Sequence, residues 1–295
     1  MLLSIVITLY NRKDLVCRSI NSVAEIAQKE DVEVIIVDDG STDDPLSVIE
    51  PYIDGRDISY FFKNNGGAAD AKNYGASVAN GQYIIFLDSD DYLFNPDELL
   101  GFIQETRDSH YDFYYSKSVI IKKDDIQIEE LSPAETIIAE NIYHYVLSFP
   151  LNYPGKPTYI FSRDAFLRSG GFSKHFKWGD AMLFWRIFLK NSVCCQIDFP
   201  SYIYDQSDNQ SISRNHDENY YNNVYTTLST TYDAIKEELA EKRYKMNWVL
   251  VLCLLAFRRK DIYSFIKYLP LIIVNPIASL KSMSLILKNR SAKLK

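Results

Sequence analysis

Asp88, Ser89, Asp90 and Asp91 stand directly behind the apolar run Tyr83-Ile84-Ile85-Phe86-Leu87. A short, nearly continuous apolar run reads as a strand buried on both faces of a parallel sheet. Ligands of open α/β sheets gather outside the carboxyl ends of such strands. Three carboxylates within four residues repel one another there unless a cation sits among them. Hard divalent ions take oxygen ligands and commonly bridge one or two carboxylates to phosphate. The plainer reading is an acidic turn that caps the next helix, because Asp is a good N-cap. A second acidic strand end, Asp38-Asp39-Gly40-Ser41 behind Val32–Val37, tips the balance toward a ligand site.

Such residues need a frame that delivers them to one edge. Leu3–Leu9 reads as a strand, and behind Asn11 the apolar positions Leu15, Ile20, Val23 and Ile26 recur at helical spacing. Val32–Val37 is a second strand, with a helix through Leu46, Ile49 and Ile53 after it. Ile58–Phe62 is a third. An alanine-rich helix, Ala68–Ala79, follows the Gly66-Gly67 turn, and Tyr83–Leu87 is the fourth strand. Strands alternating with helices predict βαβ units and a parallel sheet. Thr8-Leu9-Tyr10-Asn11, Asp38–Ser41, Asn65–Asn73 and Asp88–Asp90 then share one carboxyl edge.

A nucleoside diphosphate would need three things at that edge. Asp39, beside Asp38, suits the base imide. The Gly66-Gly67 turn with Lys72 suits the close approach of backbone and charge to phosphate, and Asp88 and Asp90 suit a cation. Thr8, Tyr10 and Asn11 complete the edge. Tyr10 could stack on the base, although an aromatic at a strand end is as often core packing.

The second half is less regular. Phe113–Ile121 alternates like a strand, and Pro150, Pro154, Gly155 and Pro157 mark a long loop. Tyr159–Phe161 reads as a strand and Arg163–Arg168 as a short helix stopped by Gly170-Gly171. A helix over Asp180–Leu189, strands over Val193–Ile197 and Tyr202–Tyr204, and a long helix from Glu218 to Arg243 complete the pattern.

With 295 residues, 47% hydrophobic and 24% charged, the chain has the ordinary make-up of a globular protein with a sizeable core. Cys17, Cys194, Cys195 and Cys253 show no metal-ligand spacing and read as reduced core residues of a cytosolic protein. The N-terminus opens on a strand and does not resemble a signal peptide. The net charge of -7 conceals a split. Residues 241–295 hold twelve Lys/Arg against two Asp/Glu, whereas the first 240 hold twenty against thirty-seven. The acidic body excludes nucleic acid as a partner. In the tail no charge-free stretch reaches the ~18–20 residues that span a bilayer. Short apolar segments flanked by Lys and Arg fit helices lying on an anionic membrane surface. A helical bundle or dimer contact with a solvated basic face is the alternative.

The strings TLYNR (8–12), VDDGSTD (37–43), NGGAADAKN (65–73), DSDD (88–91), SGGF (169–172) and WGDAMLFWRI (178–187) together resemble family 2 glycosyltransferases. The resemblance covers residues 1–215. It implies an α/β GT-A fold: a Rossmann-like, mostly parallel twisted sheet flanked by helices, here with a C-terminal helical appendage. It divides the chain into a nucleotide-sugar half over 1–110, an acceptor half over 111–215 and a basic helical region over 216–295. The activity it implies is inverting transfer of a sugar from a nucleoside diphosphate, foremost a UDP-sugar, to an acceptor hydroxyl with Mn²⁺ or Mg²⁺. In the same way Asp39 contacts the base, Asp90 holds the metal with help from Asp88, and Asp180 deprotonates the acceptor, with Trp178 and Gly179 lining the acceptor pocket.

Three positions depart from the family pattern. Thr8 stands in place of a frequent proline. Lys72 replaces a common arginine and loses its bidentate fork. Gly179 takes the first place of the usual Glu-Asp pair, and Asp180 keeps the second. As the opening residue of a helix, Asp180 has an N-cap as its plainer reading, but the Gly170-Gly171 turn and Trp178 suit an acceptor-facing pocket and favour the base. Ser211–Arg214 resembles a mobile loop that some relatives fold over the diphosphate, with an ordinary surface turn as the plainer reading; His175 and His216 read as polar surface or satisfied core residues rather than metal ligands. A lipid-linked glycan acceptor and a peripheral place on the inner face of the cell membrane are the expectation, with homo-oligomerisation open. A sugar nucleotidyltransferase and a non-catalytic sugar-nucleotide-binding subunit are the alternatives.

Overall fold

The computed structural model describes residues 1–53, 57–122, 125–128, 147, 159–173, 192–205, 218–241, 244–275 and 278–284. Strand β1 (Leu3–Leu9) is buried at all seven positions because packed side chains cover both faces of the sheet there. β2 (Val32–Asp38) and β4 (Tyr83–Asp88) lie parallel to it, in registers that end on Leu9↔Asp38 and Thr8↔Asp88. β3 (Ile58–Phe62) runs parallel to β2 on its outer side, ending on Asp38↔Phe62. Asp38 and Asp88 therefore sit two strand spacings apart across β1, or roughly 10 Å.

Between these strands lie α1 (Lys13–Val23), α2 (Leu46–Ile53) and α3 (Ala68–Val78). Val16, Ser19, Ile20 and Val23 form the inward stripe of α1 at the expected three- and four-residue steps. α3 buries only Ala69, Ala71, Gly75 and Ala76, so its backbone lies close to the sheet. A Cβ on Gly75 would run into the side chain of Val6.

Beyond β4 the sheet becomes mixed. Its order is β3-β2-β1-β4 and then β8 (Tyr159–Ser162), β6 (Phe113–Lys122), β9 (Cys194–Asp205) and β5 (Tyr92–Leu93), with a ninth strand, β7 (Asp125–Ile128), on β6. β8 is antiparallel to β4 and to β6. β9 is parallel to β6, and β5 is antiparallel to β9. The strands expected over Val193–Ile197 and Tyr202–Tyr204 are thus one. Pro200 has no N–H to give the ladder, and β9 bulges around it: Ile197, Pro200 and Tyr202 face the consecutive residues Ser116, Lys117 and Ser118 of β6.

β5 and the helix α4 (Pro96–Thr106) have no counterpart in the sequence reading. A helix start was legible in Pro96 at the first turn with Asp97 and Glu98 beside it. Opposite faces of the sheet feed separate cores. Ile5, Ile7, Ile36 and Ile85 point toward α1 and α4. Val6, Val37 and Ile84 point toward α3, α5 (Arg163–Arg168) and the cluster that includes Trp248. The C-terminal helices are α6 (Glu218–Glu241), α7 (Lys245–Arg258), α8 (Ile262–Val274) and α9 (Ala278–Ser284). Arg258 of α7 and Arg259, which caps that helix, stack on Tyr221 and Tyr225 of α6.

Candidate active site

Parallel register brings Thr8, Asp38, Asp39 and Asp88 to one edge, and the turn after β4 adds Asp90. Thr8 Oγ1 donates to Asp88 Oδ1 at 3.4 Å, and Lys72 of α3 reaches the same oxygen at 2.8 Å. Asp88 is half-exposed and Asp90 half-buried. Burial, then the neighbouring charge of Asp88, pushes the Asp90 carboxyl above its usual range, against the pull of Arg12 and Lys72. The two carboxyl groups thus sit close enough to feel each other's charge, with Lys72 and Arg12 acting against that repulsion.

The turn that presents the pair is held from beneath. Ser19 Oγ of α1 lies 2.9 Å from the Ser89 carbonyl and 2.5 Å from that of Asp91. Arg18 donates to the Asp90 carbonyl at 2.7 Å and stacks on Tyr92. Asp91, the last acidic residue of the string, is buried and accepts the Tyr202 hydroxyl at 2.6 Å. Its role is to anchor the turn.

Asp38 and Asp39 are both buried. Asp38 accepts the Ser41 N–H at 2.7 Å and the Tyr60 hydroxyl at 2.5 Å. Burial first, then that bond, raises the Tyr60 phenol far above its ordinary value. Asp39 is only 3% exposed. Its Oδ1 accepts from Lys63 at 2.5 Å and from the Gly66 N–H at 2.9 Å, and its Oδ2 accepts the Gly67 N–H at 2.7 Å. Gly67 has φ 88°, in the left-handed region where a side chain is strained. Lys63 also pairs with Asp70 at 2.7 Å. Burial works to lower the Lys63 amine, but its bonds to Asp39 and Asp70 outweigh it and the pKa rises.

Tyr10 is 49% exposed on the rim. Asn11 ties the rim to the second acidic loop, taking Ser41 Oγ with its N–H at 2.9 Å and accepting the Thr42 N–H at 2.8 Å. Asn73 of α3 makes a two-way bond with the backbone of Phe172, at 2.7 Å and 2.9 Å. The NGGAADAKN and SGGF strings are thus joined. Gly171, at φ 68°, leaves the room that Asn73 Oδ1 occupies. Asp180, Trp178 and Gly179, with His175, Ser211–Arg214 and His216, lie outside the described residues.

Sequence reasoning missed Lys63, Tyr60, Ser19, Arg18 and Tyr202. Lys63 was within reach: it follows Phe62, which pairs with Asp38, so parallel register sets it beside Asp39. Ser19 was visible as a polar residue in the apolar phase of α1. No local signal marks Tyr202. Among the described residues no group of three His, Cys, Asp or Glu is arranged to hold a metal. Asp88 and Asp90 supply two carboxylates, which fits a hard dication that completes its shell with water and phosphate.

The GT-A fold is the class that this sheet and its flanking helices define. Staphylococcus aureus TarS 1–349, solved with UDP-GlcNAc, superposes with a TM-score of 0.62 at 18% identity over 96% of this chain and 89% of that one. The mannosyltransferase PcManGT of Pyrobaculum calidifontis, solved with GDP-Man and Mn²⁺, gives 0.53 at 15% identity over 99% and 80%. The family model for glycosyl transferase family 2 matches residues 4–191, more than half of the chain. The chain belongs to that family. The UDP-Glc:alpha-D-GlcNAc-diphosphoundecaprenol beta-1,3-glucosyltransferase WfaP of Escherichia coli is 45% identical over 93 residues, 31% of this chain and 36% of that protein. A poly(ribitol-phosphate) beta-glucosyltransferase of Bacillus spizizenii is 39% identical over 97 residues, 32% of this chain and 15% of that protein. The matched segments thus span well under half of these relatives.

Proposed function

We propose that the chain transfers a sugar, with inversion, from a nucleoside diphosphate to a hydroxyl of a lipid-linked glycan at the inner face of the cell membrane. The observation that carries this is the register that sets Asp38, Asp39 and Asp88 around the end of β1, with Asp90 and Lys72 beside them. UDP is the first candidate nucleotide, since WfaP is named for UDP-Glc and TarS was solved with UDP-GlcNAc. WfaP's acceptor, a sugar on diphosphoundecaprenol, supports the lipid-linked acceptor.

Donor entry requires an exchange at Asp39. Its oxygens hold the Gly66 and Gly67 amides, and a base imide N–H competes for the same lone pairs. Released amides then face the diphosphate, with Lys72 as a point charge beside it. A dication held by Asp88 and Asp90 would offset the negative charge that grows on the departing diphosphate. The acceptor oxygen bonds to the anomeric carbon as the bond from carbon to diphosphate breaks, and that electron pair leaves with the diphosphate. Asp180 receives the hydroxyl proton; a positioned base contributes about 10²–10⁴-fold.

The test is a melting-temperature screen of UDP-, GDP-, TDP- and CMP-sugars with and without Mn²⁺, paired with turnover of Asp180→Asn. One nucleotide class should raise the melting point, by the equivalent of about 2.7 kcal/mol at a hundredfold excess over Kd. Asp180→Asn should keep that shift and lose at least a hundredfold in turnover. No shift with any donor, or full turnover by the variant, overturns the reading.

A further inference from the structure

Large apolar side chains are normally covered, yet ten of the seventeen exposed ones among the described residues lie between Leu254 and Met283. Helix α8 shows the anomaly best. It turns Tyr268, with Phe265 and Ile272, toward α7 and the core. Eight of its thirteen residues are exposed, and Lys267 is the one charge among them. Ile262, Ile266 and Ile273 follow each other down this outward face, with Tyr263 (84% exposed) and Val274 alongside. A solvent-facing helix surface ordinarily carries the reverse composition.

Charge tells which partner covers this face. Arg258, Lys260, Lys267 and Lys281 are exposed along its margin. Asp261 is the only acidic residue from 242 to 295, and it is engaged, capping Ser264 at 3.0 Å and lying 3.8 Å from Arg259. A second copy of the chain meeting this face about a two-fold axis would set like charges against each other. An anionic lipid surface complements them. Geometry agrees. α8, about 20 Å long at 1.5 Å per residue, is too short for a ~30 Å hydrocarbon core. It is followed by α9 at 111°, and no single helix among the described residues is long and apolar enough to cross.

We infer that the outward face of α8, continued by Leu280 and Met283 of α9, lies in the headgroup region of an anionic bilayer, and that Lys260, Lys267 and Lys281 bind lipid phosphate. This deepens the membrane part of the proposed function and is tested without donor or acceptor, so its failure leaves the sugar-transfer reading standing. Purified full chain is sedimented with phosphatidylcholine vesicles, with or without a third of phosphatidylglycerol. The wild type should pellet with the anionic vesicles alone. Ile266→Glu with Ile273→Glu, both exposed side chains, should remain in the supernatant with an unchanged melting temperature. Replacing Lys260, Lys267 and Lys281 by Gln should lower the partition coefficient by on the order of a hundredfold, since each basic residue near the surface contributes about fivefold. Equal pelleting of wild type and glutamate variant overturns the inference. So does a lipid-indifferent dimer in ultracentrifugation that the glutamate changes dissociate.

Discussion

Five acidic residues within the first ninety-one have distinct surroundings, and those surroundings sort them. Asp91 is bound to Tyr202 and Asp38 to Tyr60 and Ser41, so both shape loops. Asp88, paired with Lys72 and Thr8, and Asp90 are only partly buried at the edge. Asp39 stands between, buried but held by groups that can change partner. Another carboxylate, Asp261, allows a quantitative check. The Ser264 N–H first, and Arg259 less, hold its carboxyl below the usual range. A lowered folded pKa stabilises above the ordinary carboxylate pKa of about 3.9, and the benefit fades as pH falls through the folded value. Asn caps equally well without a charge. Asp261→Asn should therefore cost about 0.5 kcal/mol at pH 6, and the difference should vanish by about pH 2 in urea melts. A gap constant with pH would remove the charge from the explanation.

At the element scale, α1 acts as the mount for the turn that carries Asp88 and Asp90. Its Ser19 hydroxyl is buried beneath two carbonyls of that turn, and Ser22 Oγ accepts the Leu93 N–H at 3.1 Å. Ser19→Ala removes one donor from a dry site, which typically costs 1–3 kcal/mol. Because the turn is bound to the hydroxyl, the proposed metal role predicts that the change also raises the half-saturating Mn²⁺ concentration several-fold while donor binding without metal stays constant. Equal effects on both would assign Ser19 to general stability. α3 works differently: it is a helix of small residues that brings Lys72 to Asp88 and Asn73 to Phe172.

Across the whole molecule, one sheet runs through both halves. β8 and β6, from the second half, complete the open side of β4. A chain ending at residue 110 would expose the edge of β4, with Ile84 and Ile85 beside it, as an unpaired apolar strand. It should aggregate and show no cooperative melt, whereas residues 1–295 should melt in one transition over this sheet. A soluble 1–110 fragment with its own sharp transition would show that the first half folds independently.

The alternation of apolar strands and helices in 1–91 was sufficient to place β1 to β4 and their acidic ends, because a parallel βαβ layout leaves one carboxyl edge. The charge split of the tail was equally visible. Pattern could not tell which carboxylates are buried in the loops, since that depends on Tyr60, Lys63 and Tyr202 arriving from elsewhere in the sheet. Nor could it reveal β9 as one strand: Pro200 reads as a break, and the ladder passes only because β9 bulges out extra residues on both sides of it against β6. The outward apolar face of α8 was undecided in the same way. Hydrophobic content is local, but which side of a helix finds a core is settled by what packs against it.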